Sequence, residues 1–260
     1  MDNRKEYWNK DYFEYWKKRV EESNNTTQNK SNIVKNDTKA SSDDNYLEAI
    51  DLVQIKPNDV VLEMGCGFGR SLPFLHNRSK NLYAVDISEA MIEAAKENYT
   101  HLEGINFFVT ESENTPFENN FFDVIVCYAS FDAMYQEKAI KEFNRILKPN
   151  GKLLFTGKND NYHDDDQLAI VAEVNARKKG HPNHFTDLKW FTENIEKTGF
   201  KVIQQRFFER RGDISENKYQ TNMPSKFYEY LMLIEKTRSQ LNEDLIFANK
   251  YSKTFKRNNK

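Results

Sequence analysis

The chain has 260 residues, with 38 Lys and Arg against 40 Asp and Glu, so its formal net charge is −2 and no basic excess points to a nucleic-acid partner. Hydrophobic residues make up 38% and charged ones 30%, enough core for one large domain with additions, or two small ones, under a very polar surface. No apolar run approaches the ~20 residues of a membrane span, and the start, MDNRKEYW, lacks the apolar stretch of a secretory signal. A cytoplasmic protein without nucleic-acid or membrane partners is expected; its oligomeric state, monomer or homodimer, is open. Cys66 and Cys127 fall beside predicted buried strands and read as small apolar fillers, not as a disulfide framework.

Residues 1–20 carry Tyr7, Trp8, Tyr12, Phe13, Tyr15 and Trp16 among charges. Tyr12, Tyr15 and Trp16 fall at helical spacing, which predicts a short amphipathic helix. It either packs on the main domain or closes over a bound cofactor as a lid. Residues 22–45 are rich in Asn, Ser, Thr, Lys and Asp and read as a linker. This divides the chain into an aromatic segment and linker (1–45), a main domain (46–240) and a basic tail (241–260).

Within the main domain a helix over Tyr46–Val53 leads to the turn Lys56-Pro57-Asn58-Asp59 and an apolar strand from Val60. NLYAVD, Asn81–Asp86, is a second strand; Ser88 caps the helix that follows, with Met91, Ile92 and Ala95 on its apolar side. Ile105–Val109 and Phe121–Tyr128 are further strands. A helix over Ala139–Leu147 ends at the turn Lys148-Pro149-Asn150-Gly151, before a fifth strand, Lys152–Thr156. Beyond Gly157 come the polar loop Lys158–Asp166, helices over Ala169–Lys179 and Thr186–Thr198, and late strands Lys201–Phe208 and Phe227–Ile234. The tail Lys250–Lys260 reads as a frayed, solvated end. Strands alternating with helices predict an α/β fold: a doubly wound, mostly parallel, seven-stranded sheet with helices on both faces.

The stretch that organises the rest is VVLEMGCGFGR, Val60–Arg70. Gly65, Gly67 and Gly69 alternate between a strand and a helix start, where open α/β sheets bind ligands and a missing Cβ lets backbone approach them. A dinucleotide fingerprint would need a small residue where Arg70 stands. The pattern is instead acid-x-G-x-G-x-G with Glu63 leading, and it resembles the first motif of the class I S-adenosylmethionine (SAM) dependent methyltransferases. Three later stretches are similar to that family, in order: Asp86 closing the second strand, VTESENTPFENNFFDVIV over Val109–Val126, and ILKPNGKLLF over Ile146–Phe155. The resemblance covers residues 60–156 and implies two last strands, one of them antiparallel.

The resemblance implies SAM as cofactor, S-adenosylhomocysteine as product and a small-molecule acceptor. It puts the backbone of Gly65, Cys66, Gly67 and Gly69 along the methionine part, with Glu63 supporting its ammonium. Asp86 would hold the ribose, with Ile87 and Met91 beside the adenine. Glu111 stands where an Asp usually meets the adenine amino group, and Ser112 beside the ring. Cys127 and Tyr128, with Ser130 close behind, would lie near the transferring methyl. For the acceptor side, the residue types give Asp132, His163 and Asp164 as candidates for a general base. Tyr12, Trp16, Ser130, Tyr162 and Arg206 are candidates for contacting substrate; Arg206, with Arg210 and Arg211, would suit an acidic group. A metal set built on His163 and its acids lacks a known ligand spacing, so no metal is expected. His181 and His184 flank a Pro-Asn turn and read as structural. The reaction expected is methylation of a hydroxyl on a small polar metabolite, such as a sugar or nucleotide-linked sugar. The alternatives are N-methylation of an amino sugar or small amine, and a SAM-binding scaffold without turnover.

Overall fold

The computed structural model describes residues 4–18, 43–238 and 244–258; the linker expected over 22–45 lies almost wholly outside them. Strands β1 (Val60–Met64), β2 (Asn81–Asp86), β3 (Asn106–Val109), β4 (Phe122–Cys127), β5 (Leu147–Lys158), β7 (Phe200–Phe208) and β8 (Glu229–Lys236) form one sheet in the order β3-β2-β1-β4-β5-β8-β7. The first five run parallel, and β8 inserts antiparallel to both β5 and β7. Strand order reverses between β1 and β4, the switch point at which such sheets open a crevice for ligands.

Burial on both faces explains why β1 and β4 read as nearly continuous apolar runs: Val61, Leu62, Met64 and Val124–Cys127 are all buried. One core lies around Phe122, Phe143, Phe155 and Tyr230, the other around Ile50, Leu72, Leu82 and Leu154. The predicted Ser88 cap is present, its hydroxyl accepting from Met91 N at 3.2 Å. The turn expected at Lys148–Gly151 occurs as a bulge inside β5, where the register with β4 shifts and Asn150 takes a φ of 63°.

Two expectations are corrected. Thr186, expected at the start of a helix, belongs instead to β6 (Phe185–Thr186), which pairs with β9 (Ala248–Asn249). Over its described residues, 244–258, the tail is accordingly not frayed. Leu245 and Phe247 are buried in the main core, and the helix Lys253–Asn258 packs with Thr254 fully buried. Charge hid this, because two apolar side chains anchor a segment that is otherwise Lys, Asn and Arg.

The N-terminal segment is helical over 4–18, with Tyr7–Tyr12 in the wider π form. That winding relates residues five apart along one side. Tyr7, Trp8 and Tyr12 gather around the His181 ring at 5.2, 5.0 and 6.1 Å. Asn9 Oδ1 accepts from Ala90 N at the start of the helix Glu89–Asn98. An Arg4–Glu113 ion pair, both side chains 5% exposed, ties the first turn down. No helix among the described residues is long and apolar enough to cross a membrane.

Candidate active site

A cavity of about 470 Å³ opens at the switch point, between the carboxyl ends of β1, β2, β4 and β5 and under the N-terminal helix. Its floor is the glycine turn. Gly65 and Gly67 have φ of 73° and 53°, which favour glycine. A Cβ on Gly65 would stand 2.6 Å from Cβ of Ser130, whereas nothing lies within 4 Å of one on Gly67. The first glycine therefore lets β1 and the β4 exit pack together. The second leaves an open cradle against the cavity.

Asp86 fixes that cradle. Its carboxylate accepts from Gly67 N and from Ser88 N, each at 2.9 Å, so β2 holds the turn that follows β1. Burial raises its pKa, and these backbone donors oppose the rise. Glu63 is buried beside it: one oxygen accepts from Ser71 Oγ, and Oε2 is buried without a hydrogen-bond partner among the described residues. Burial pushes the Glu63 carboxyl up to about 8, opposed by Ser71 and aided by the charge of Asp86. An unmatched buried carboxyl oxygen at the edge of a backbone cradle fits an ammonium such as that of SAM. Cys66, Ile87, Met91, Ser112 and Tyr128, expected at the cofactor, and Ser130, expected at the substrate, also line the cavity. Tyr12 and Trp16 reach it from above, and Trp16 stacks on Phe68 with ring centroids 4.6 Å apart.

Three residues expected at the cofactor lie off the cavity. Gly69 is taken up by packing: a Cβ there would meet Leu72 at 2.7 Å and Tyr99 at 2.9 Å. Cys127 is fully buried, its thiol 3.3 Å from Ser130 Oγ and pushed up to about 12 by burial. It points into the core because alternate residues of a strand face opposite ways. Glu111 lines a smaller neighbouring cavity of about 280 Å³ that shares Ile87 and Thr110 with the main one. The longer side chain leaves it largely exposed, 3.7 Å from Arg4.

The acceptor side departs further from expectation. Asp132 does line the cavity. His163, Asp164 and Tyr162 do not, because the loop after β5 is turned away. Asp160 N donates to Thr186 O at 2.9 Å, and the buried Tyr162 donates its hydroxyl to Glu173 at 2.7 Å. His163 lies 3.9 Å from Glu209. Asp164 is clamped by Lys226 and Arg257, which hold its carboxyl down at about 2. Among the described residues no His, Cys, Asp and Glu gather as a metal set. Arg206 pairs with Glu48 at 2.7 Å and lies over the Tyr219 ring; of its trio, Arg211 lines the cavity.

In their place stand Lys158, His181 and Glu229, none assigned to the site in advance. Lys158 Nζ donates to Asp132 Oδ2 and, at 2.9 Å, to Asn183 Oδ1. Burial works against its charge, but the facing Asp132 outweighs this and raises its pKa. The ring of His181 is hydrogen-bonded through Nδ1 to the Tyr7 hydroxyl at 2.7 Å, and burial with Lys158 nearby pushes its pKa down to about 4. Lys158 and Glu229 are register partners across β5 and β8. Opposite charges at those strand ends were the available signal, but it needs the strand pairing to be known.

Comparison with known proteins gives the family. The family profile described as a methyltransferase domain matches residues 62–155. An uncharacterized methyltransferase of Anoxybacillus flavithermus is 30% identical over 164 residues, covering 62% of this chain and 71% of its own length. An uncharacterized protein of Methanocaldococcus jannaschii is 29% identical over 180 residues, or 68% of this chain and 59% of that protein. The structure of geranyl diphosphate C-methyltransferase from Streptomyces coelicolor, solved with S-adenosylhomocysteine, superposes with a TM-score of 0.60 at 15% identity. It covers 75% of this chain and 79% of that one, and shares the fold. The chain belongs to the class I SAM-dependent methyltransferases. It spans about half the length of the first curated relatives it matches.

Proposed function

We propose that this chain transfers the methyl group of SAM to a hydroxyl of a small polar metabolite, a sugar or nucleotide-linked sugar being the class that fits. The observation that carries this is the wall facing the glycine turn. It sets Asp132, Lys158, His181, Arg211 and Glu229 among aromatic and apolar side chains such as Tyr46, Met134 and Ile214, and these ionisable groups supply hydrogen-bond partners for an acceptor rich in hydroxyls. When bound, SAM supplies a sulfonium methyl that is already activated. What this chain has to add is alignment, exclusion of water and a place for the hydroxyl proton.

Glu63, Asp86 and the backbone of Gly65–Gly67 would hold the cofactor, with Ile87 and Met91 at the adenine. The N-terminal helix acts as the lid: Trp8, Tyr12 and Trp16 close the cavity from above and shed water from it. Asp132, bound by Lys158, fixes that ammonium at the acceptor end instead of serving as the base. N-methylation is the second reading. The carboxylate of Glu229 and the aromatic faces of Trp8, Tyr12 and Trp16 would also suit a cationic amine. Matching relatives include proteins named as N- and C-methyltransferases.

The test is SAM labelled on its methyl group, incubated with the protein and a metabolite extract of its own cell, with Asp86→Ala as control. Label in a small soluble compound, lost in the control, supports the reading, and mass spectrometry then separates O- from N-methyl product. Label confined to macromolecules would exclude a small acceptor. SAM binding without transfer would favour a cofactor-binding scaffold.

A further inference from the structure

We propose that Glu229 is the general base of the reaction, taking the proton from the acceptor hydroxyl as that oxygen attacks the methyl carbon. This rests on the methyl-transfer reading above. In the step the O–C bond forms while the S–C bond breaks with its electron pair passing to sulfur. The hydroxyl proton goes to the Glu229 carboxylate and then to water as product leaves.

The argument is one of occupancy. Five carboxyl side chains line the cavity: Glu63, Asp86, Glu113, Asp132 and Glu229. Glu63 accepts from Ser71 with one oxygen and keeps the other for the cofactor ammonium, at the cofactor end, and Asp86 accepts from two backbone amides of the glycine turn and its neighbouring helix cap. Glu113 binds the Arg4 guanidinium and accepts from Tyr135 N at 2.7 Å. Asp132 is engaged by the Lys158 ammonium. The Glu229 carboxylate has no hydrogen bond or ion pair to another described residue, so its oxygens can accept from a ligand. The remaining basic candidate, His181, has Nδ1 taken by Tyr7 and its pKa pushed down to about 4, too weak a base at neutral pH.

Position and field agree with this. Glu229 opens β8 between Lys158 of β5 and Phe208 of β7, on the rigid sheet and not on a loop. Facing it are Lys158, Arg211, Asp132 and Asp166. Burial pushes the carboxyl up to about 7, while Arg211 and Lys158 pull it down and keep it short of permanent neutrality. A carboxyl in that range is ionised in useful amount at neutral pH and is a far better proton acceptor than an ordinary glutamate. The nearby cations are already engaged: Lys158 by Asp132 and Asn183, and Arg211 by the Tyr228 hydroxyl at 3.1 Å. They tune Glu229 without neutralising it by contact.

The experiment compares wild type, Glu229→Gln and Glu229→Asp in the labelled-SAM assay with cell extract from pH 5.5 to 9, alongside SAM affinity by calorimetry. Glu229→Gln is expected to keep SAM affinity within about threefold and lose transfer by about 100-fold or more, the usual contribution of a positioned base. The wild-type rate should rise with pH through about 7, an inflection that Glu229→Asp shifts and Glu229→Gln abolishes. Transfer by Glu229→Gln within about threefold of wild type, or an unchanged inflection, overturns the assignment and leaves the methyl-transfer reading intact. Loss of SAM affinity in Glu229→Gln, but not in Glu229→Asp, places Glu229 at the cofactor and also overturns it. No label transferred by wild type removes the methyl-transfer reading itself, and the base with it.

Discussion

The two ends of the cavity are built differently. The end proposed for the cofactor is local: Glu63, Gly65, Gly67, Asp86 and Met91 come from two neighbouring strands, the turn after the first and the helix after the second. Its key contact, Gly67 N to Asp86, bridges β1 and β2 directly. The acceptor end is assembled from far apart. Tyr7 meets His181 across 174 residues, and Glu229 meets the cavity only because β8 runs antiparallel beside β5. A cofactor common to a family can be held by one turn set by local geometry. An acceptor peculiar to one enzyme needs a wall that can be rebuilt from separate elements without disturbing the turn.

The largest expected effect separates the two ends through stability. Lys158→Met leaves Asp132 buried and unpaired, and breaking such a pair costs roughly 3–5 kcal/mol. Denaturant unfolding should show that loss, while any residual folded protein still binds SAM; equal stability would mean that the pair is solvated and the two ends are less distinct than drawn. Next, Asp86→Ala removes the acceptor of two backbone amides, and hydrogen bonds to a charged group are worth about 1.5–3 kcal/mol. SAM affinity by calorimetry should fall by about 10- to 100-fold, and the melting temperature should fall with it, because the two amides lose their acceptor.

A third prediction is a pH dependence confined to the cofactor end. Glu63, raised to about 8, is largely protonated in the free protein at pH 6–7. An ammonium seated at its unmatched oxygen favours the ionised form, so binding releases a proton, and SAM affinity should rise as pH rises toward 8, by at most about tenfold per unit. Calorimetry in buffers of different ionisation enthalpy reads the released proton. Flat affinity between pH 6 and 8 would sink the assignment of Glu63 to the ammonium. The folded state carries the opposite sign. A raised carboxyl pKa means that the folded protein holds a proton the unfolded chain has released, so this group's contribution to stability declines from about pH 4.5 to 8. The smallest effect concerns the lid: Trp16→Ala removes a stack on Phe68 worth about 0.5–1.5 kcal/mol. Transfer should slow about two- to tenfold, and an unchanged rate would make the N-terminal helix a packing element only.

Where periodicity and turn chemistry decide the structure, the sequence was legible. NLYAVD forms β2 with the bounds read from it, and Ser88 caps the helix that follows. The glycine turn and its acid sit where the strand-to-helix pattern puts them, because each of these choices is settled within a few residues. Reading failed where tertiary contacts outweigh composition. Tyr162, His163 and Asp164 looked like a reactive cluster, yet the Tyr162 side chain is drawn to Glu173 and the loop with it. The Lys-rich tail looked solvated, yet Leu245 and Phe247 anchor it and β9 pairs with β6. Cys127 looked close to the reacting methyl, yet one step along a strand reverses the face.

The sequence by itself determined the class of fold, since that follows from short-range pattern, and its resemblance to a family pointed to the cofactor and to the glycine turn. Only the tertiary structure decided which charged side chains face the acceptor. Lys158, His181 and Glu229 become neighbours through an antiparallel register and a helix from the other end of the chain, and such register and docking free energies are summed over the whole core and written in no single stretch.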